Sequence, residues 1–287
     1  MPEHITLNGE RFQRVARQQI EGRHKALVYK GADSYLRIGQ KSAIQRDLKH
    51  HREMAAAGFP VAKILATGEH GGQSYFIETS LGEKTFRVLF DENFREKCAI
   101  DDALFDSFID VTRRYLAAQL SARVPAAPAV FRQGIRVDEL RAELPQYSIS
   151  LDMRFSRTCE RLSAYPYVLS HGDLGPANMM PGGVLDLEDT FVAPFGFDAV
   201  SALTTIDWFP SSPDFEFQAV YSYSTEQRAR YFAMCDEVAT SHQLPAISDF
   251  KEDLEFGRAV WLAVAMYKWP RIQKWRYDRF IRAYLLM

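Results

Sequence analysis

The stretch from Tyr167 to Asp189 constrains this chain more than any other part of it. Apolar Tyr167 to Leu169 leads into His171-Gly172-Asp173, and Gly175 with Pro176 then forces a sharp turn. Asn178 opens a short run ending at Pro181-Gly182-Gly183, and Val184 to Leu187 is a second β-prone run. A hairpin centred on Gly182 sets Asn178 opposite Asp186, with the two side chains roughly 5 Å apart at Cβ. An amide oxygen and a carboxylate at that spacing can share one hard divalent ion, completed by water and phosphate oxygens. Asp173, in the loop just before the hairpin, falls near the ion without ligating it. That arrangement suits a carboxylate that accepts a hydroxyl proton while a metal neutralises a phosphoryl group. The plainer alternative is a turn in which Asp and Asn serve only conformation. The conjunction of HGDxxxxN, a Gly-containing reversal and an apolar-flanked Asp favours the chemical reading.

Around this stretch the chain changes character once. Before Gly82 it reads as strands and one helix. Arg11 to Gln18 alternates loosely, Ala26 to Tyr29 and Ser34 to Ile38 form a Gly-linked hairpin, and Ala62 to Ala66 and Ser74 to Thr79 are further strands. Between them Lys41 to Ala57 is helical, stopped by Gly58 and Pro60. The predicted order is β-β-β-α-β-β. Beyond Gly82 the pattern is mainly helical. Asp101 to Ala122 sets Leu104, Phe105, Phe108, Val111, Tyr115 and Leu116 on one side, the spacing of a core-facing stripe. Val124 to Val130 reads as a connector between helices. Phe256 to Trp269 and Ile272 to Leu286 are helical, broken at Pro270, and the second is expected to pack on the core rather than lie on a membrane.

Composition narrows the partners. With 35 basic against 37 acidic residues in 287, the charge is too balanced for non-specific nucleic-acid binding. No apolar run approaches the roughly 20 residues needed to span a bilayer. The N-terminus lacks the features of a signal peptide. Three scattered cysteines, Cys98, Cys159 and Cys235, support neither a disulfide framework nor a zinc site, so a cytoplasmic location is expected. The seven histidines show no clustering of the kind a metallophosphoesterase needs.

On these residues the sequence resembles the aminoglycoside phosphotransferase and choline kinase group, which has a protein-kinase-like fold. His171-Gly172-Asp173 to Asn178 resembles its catalytic loop, and Leu185-Asp186-Leu187-Glu188 its metal-binding segment. Pro194-Phe-Gly-Phe-Asp198-Ala-Val resembles the stretch whose Asp braces that loop. Gly58 to Ile64 and Phe76 to Gly82 resemble the segment after the first helix and the strand and hinge that hold adenine. The resemblance runs from about residue 20 to 205 and is strongest at 168–200.

The resemblance implies an α+β, two-lobed fold. A small β-rich N-lobe would span 1–81, and a larger, mainly helical C-lobe 82–287. It implies Asp173 as catalytic base, Asn178 and Asp186 as Mg2+ ligands, and His171 as an organiser of the loop. Glu188 is equally a second-ion ligand or an outer-shell residue, while Asp189 and Asp198 are structural acceptors. ATP or GTP would sit between the lobes, its purine on backbone groups of Glu78, Thr79 and Ser80. The connection from Glu21 to Lys25 would cover its phosphates or simply be a solvated turn.

Two departures qualify the match. Arg37 stands where the family carries a phosphate-contacting lysine, and its helix partner is expected at Asp47, with Glu53 the fallback. The basic-aromatic C-terminus offers no acidic cradle for an aminoglycoside. The leading expectation is an Mg-ATP-dependent phosphotransferase acting on a small-molecule hydroxyl. Arg37 keeps open a second: a nucleotide-binding scaffold or sensor with little or no turnover. Aromatic residues such as Trp208, Phe209, Trp261, Tyr267 and Trp269 are candidates to stack on an acceptor, though a core role is favoured.

Overall fold

The computed structural model describes residues 2–15, 26–204, 207, 219–265 and 280–285. The expected phosphate-covering connection at Glu21 to Lys25, the aromatics Trp208, Phe209, Tyr267 and Trp269, and most of the last basic-aromatic segment lie outside these residues.

The N-terminal part opens with one more strand than the sequence predicts. β1 (His4–Leu7) and β2 (Glu10–Arg14) form a hairpin closed by Asn8-Gly9. Both turn residues have positive φ (52° and 82°), which is the geometry an Asn-Gly turn favours. That dipeptide was the available signal for β1. β3 (Ala26–Lys30), β4 (Ser34–Gly39), β5 (Ile64–His70) and β6 (Gln73–Thr79) complete a six-stranded sheet of order β1-β2-β3-β4-β6-β5. Every pairing in it is antiparallel. Ile5, Leu7, Phe12, Tyr29, Leu36, Ile38, Tyr75 and Ile77 form its own small core.

α1 (Lys41–Ala56) follows β4 and packs on β4 and β6. It ends at Gly58, whose φ of 82° lies in the left-handed region. The end of α1 faces the other way: Met54 and Phe59 join the large C-terminal core.

The C-terminal part is helical around that core. α2 (Phe86–Lys97) and α3 (Asp102–Ser121) bring Phe86, Phe90, Phe105 and Phe108 into a cluster of tilted and edge-on rings. The stripe expected on α3 is realised: Phe105, Phe108, Val111, Tyr115 and Leu116 are buried. The Val124 to Val130 connector ends in a short helix, α4 (Pro128–Gly134), with Pro128 in its first turn. α5 (Val137–Glu143) and α6 (Ser148–Arg161) precede β7 (Tyr167–Ser170). β7 pairs antiparallel with β10 (Phe191–Pro194), and the motif segment is the excursion between them. Within it β8 (Met179–Met180) and β9 (Gly183–Val184) make a minimal hairpin. α7 (Phe197–Thr204), α8 (Thr225–Ser241) and α9 (Lys251–Ala265) close the core. Among the described residues no helix is long and apolar enough to cross a membrane.

This is the expected two-lobed, protein-kinase-like arrangement of a β-rich part followed by a helical one. The seam between them is made at the motif hairpin. Val184 N donates to Pro60 O (2.8 Å) and Gly182 N to Leu81 O (2.8 Å). A Cβ on Gly183 would stand 1.9 Å from Pro60 O, so only glycine permits the approach.

Candidate active site

β7 delivers the His171-Gly172-Asp173 loop, and Asp198 at the start of α7 holds it. Asp198 is fully buried and accepts from Tyr115 Oη (2.7 Å), Gln119 Nε2 (2.9 Å), His171 N (2.8 Å) and Gly172 N (3.2 Å). A buried carboxylate needs such a ring of donors. Burial, reinforced by the Asp198 charge, pushes the Tyr115 phenol well above its ordinary value, so it remains a donor. Gly172 has φ 81°, and a Cβ there would lie 2.3 Å from Asp189 O. His171 Nε2 is 2.8 Å from Leu185 O, tying the loop to the strand that precedes Asp186. His171 is therefore an organiser, as its buried position requires. Ser201 Oγ donates to Leu174 O (3.0 Å) and secures the chain just after Asp173.

Asp173 is partly open. Its Oδ1 accepts from Arg258 Nη2 (2.6 Å). Asn178 Nδ2 donates to Asp173 O (2.8 Å) and stands 3.3 Å from Asp173 Oδ2. With its nitrogen committed to Asp173, the amide oxygen of Asn178 is the atom turned elsewhere.

The hairpin register differs from the sequence reading by one residue. Met179 pairs with Val184 and Met180 with Gly183, so Asn178 lies opposite Leu185, whose N–H donates to Asn178 O (3.0 Å). The turn holds two residues, Pro181 and Gly182, so its centre falls between them rather than on Gly182. Asp186 is the next residue, and it has φ 69° in the left-handed region. For a residue with a side chain that is a costly conformation, kept where surrounding contacts enforce it. Here the contacts are identifiable: β9 fixes the chain before it, and a single helical turn, Leu187–Asp189, follows it. His50 of α1 lies with Nδ1 3.0 Å from Leu187 O. Glu188 is exposed and Asp189 half-buried within that turn.

Arg37 of β4 is buried, and its partner is neither of the helix carboxylates expected. Its Nε donates to Glu78 Oε1 on β6 (2.9 Å), and its Nη1 stands 3.5 Å from Asp186 Oδ1. The register explains this: Arg37 lies opposite Phe76, so Glu78 is its diagonal neighbour on the same sheet face. Asp47 is close enough to add electrostatic attraction, but its Oδ1 accepts no hydrogen bond. Glu53 pairs instead with Lys49 on the outside of α1 (3.7 Å). Burial alone would lower the Arg37 pKa, but Glu78 and Asp186 outweigh it and hold the guanidinium firmly charged. His51 completes the cluster, with Nδ1 3.5 Å from Glu78 Oε2 and Nε2 2.5 Å from Ala62 O. Arg37, Asp47, His51, Phe76, Glu78 and Asp186 line one narrow polar pocket behind the hairpin.

The segment expected to hold a purine is partly engaged within the protein. Thr79 N donates to Lys63 O and Ser80 N to Asp33 O, each at 2.9 Å. Thr79 Oγ1 accepts from Lys63 N (2.9 Å), and Ser80 Oγ donates to Gly82 O (2.8 Å). The Glu78 side chain turns inward to Arg37. Three residues contribute that carry little local signal: Arg258, His50 and His51. The adjacent histidines at the middle of a helix were the visible signal for the last two.

Comparison with known proteins places the chain. The model of the phosphotransferase enzyme family APH matches residues 20–232, and the chain belongs to that family. It is a phosphotransferase of kinase-like fold. No curated protein sequence matches it. Among solved structures, aminoglycoside-3'-phosphotransferase of type VIII is similar at 13% identity and TM-score 0.53, covering 85% of this chain and 93% of that one. A thermostable mutant of aminoglycoside phosphotransferase APH(4)-Ia, in ternary complex with AMP-PNP and hygromycin B, is similar at 13% identity and TM-score 0.53. That match covers 96% of this chain and 93% of the other. At such identity these structures share the fold alone.

Proposed function

We propose that this protein is an Mg2+- and ATP-dependent kinase that transfers the γ-phosphoryl group to a hydroxyl of a small molecule. What supports the reading is that Asp173 and Asn178 are joined in one loop, while Asp186, just past the hairpin that Asn178 precedes, meets the buried Arg37 at the seam of the two lobes. We take that seam, near Gly82, as the boundary between a nucleotide-binding lobe (1–81) and the lobe that carries catalysis and the acceptor (82–287).

The donor set suits magnesium. Asp186 presents a carboxylate, and Asn178 an amide oxygen whose nitrogen is already committed, both hard oxygen donors. Among the described residues no group of three or more His, Cys, Asp or Glu could hold a metal by itself. A two-ligand site completed by phosphate and water needs no such group. Held by Asp186 and Asn178, the ion would supply positive charge that neutralises the phosphates. Arg37 supplies a second, fixed positive charge at the same place, with a planar fork suited to phosphate oxygens. The purine would rest on the segment from Glu78 to Gly82. Since the Thr79, Ser80 and Gly82 amides are engaged, its partners there would be the remaining backbone groups.

Asp173 orients the acceptor hydroxyl and takes its proton as the oxygen attacks the γ-phosphorus in line with the departing ADP oxygen. A solved structure of similar fold holds hygromycin B together with AMP-PNP. This chain is read here only as acting on a small-molecule alcohol.

Turnover by Asp173→Asn tests the assignment against the scaffold alternative. The rate should fall by about a hundredfold or more, with ADP affinity unchanged. Wild-type turnover in that variant would remove Asp173 from the mechanism. Asp186→Ala should instead abolish the dependence of nucleotide affinity on magnesium, read by calorimetry with and without the ion.

A further inference from the structure

We propose that Arg258, on α9, is a positioning residue of the transfer reaction. It pins one oxygen of the Asp173 carboxylate so that the other faces the acceptor hydroxyl. This rests on the reading of Asp173 as the base.

Arg258 is 1% exposed, yet it ends at the one partly open carboxylate of the loop. Its Nη2 donates to Asp173 Oδ1 at 2.6 Å, and its Nη1 donates to Gly172 O at 2.6 Å. One planar fork thus clasps both the backbone and the side chain of consecutive residues, which a flexible ammonium would do poorly. The guanidinium is fixed in turn by Trp261, whose ring lies under it at 4.4 Å from the centroid.

The helix itself is anchored one turn earlier. Asp253, 2% exposed, accepts from Arg154 (3.1 Å), Thr158 (3.2 Å) and Arg161 (2.5 Å), which rivets α9 to α6. The two carboxylate oxygens of Asp173 are consequently unlike. Oδ1 is held by a short charge-assisted bond. Among the described residues Oδ2 has only the long 3.3 Å approach of Asn178, whose better bond goes to Asp173 O. Oδ2 is therefore the oxygen that receives the acceptor proton. As it does so the acceptor oxygen bonds to the γ-phosphorus, and the bond to the bridging oxygen breaks with its electron pair leaving on ADP.

The Asp173–Arg258 relation joins residues 85 apart in sequence, so no local motif signals it. A guanidinium fully buried in a helical core is costly to desolvate, and a purely structural role would be better filled by an apolar side chain.

The test is a double-mutant cycle with Arg258→Gln, Arg258→Lys and Asp173→Asn. Initial rates are read with MgATP and hygromycin B, streptomycin or choline as acceptor, or water as the acceptor of last resort. Arg258→Gln should lower kcat about tenfold to a hundredfold while the KM for ATP stays within about twofold. In the Asp173→Asn background the same change should cost less than about threefold, because the group it positions is gone. Arg258→Lys keeps the charge without the fork, should fold where Arg258→Gln does not, and should recover only part of the rate. A crystal structure of either variant should show the Asp173 carboxylate rotated from its wild-type position. Wild-type kcat in Arg258→Gln, an equal loss in both backgrounds, or an unmoved carboxylate would overturn the role. Full turnover by Asp173→Asn would instead overturn the base assignment, and this inference with it.

Discussion

Arg37 Nε lies 2.9 Å from Glu78 Oε1, joining neighbouring strands of one sheet rather than strand to helix. This buried positive charge is thus held by the sheet itself, and α1 contributes Asp47 only at longer range. Removing Glu78 leaves a buried guanidinium short of its best acceptor. Glu78→Ala should cost about 3 kcal/mol of stability, read by urea unfolding, since breaking one side of a buried pair strands the other. A loss under about 1 kcal/mol would mean that Asp47 and Asp186 take over the pairing.

Asp47 provides a test by pH. Burial raises its carboxyl above the ordinary value, against the pull of Arg37. A group raised in the folded state contributes its stability when protonated, below the unfolded pKa, and loses that contribution as pH rises through the folded one. Asp47→Asn should therefore gain stability relative to wild type as pH rises above about 4, the ordinary carboxylate value. A difference that shrinks or reverses over that range would show that Arg37, not burial, governs the group.

The brace on the catalytic loop is a separate matter. Asp198→Asn replaces one accepting oxygen by a donor in a ring made only of donors. The change should cost about 2–4 kcal/mol and lower kcat more than it changes nucleotide affinity. Equal unfolding midpoints for the two proteins would rule the brace out.

The thiols should respond in a fixed order. Cys98 is exposed at the C-terminus of α2, while burial pushes the Cys159 thiol up to about 11 and the fully buried Cys235 still further. Iodoacetamide at neutral pH should label Cys98 first, as located by mass spectrometry. Comparable rates at Cys235 would mean that α8 opens readily.

Local chemistry made much of this protein legible. The loop from His171 to Asp173, Asn178, Asp186 and the apolar stripe on α3 are patterns of neighbouring residues, set by turns, strand alternation and helical period. Such patterns also carried the family. Asn8-Gly9 marks the β1–β2 turn in the same way. The hairpin register needed more, because a two-residue turn and a three-residue one differ by a single position that Pro181-Gly182-Gly183 leaves ambiguous.

Partner choice belonged to the tertiary structure alone. Arg37 had acidic candidates on α1, and sheet geometry selected Glu78, 41 residues away. Arg258 reads as an ordinary helix residue until α9 packs on α5, α6 and α7 and its guanidinium meets Asp173. Spacing along the chain sets which backbone shapes are favourable, and so determined the His171 to Asp173 loop and the hairpin that follows it. Which charges end up within hydrogen-bond distance depends on how whole elements pack. In a buried site that proximity, not the residue type, decides what each charge does.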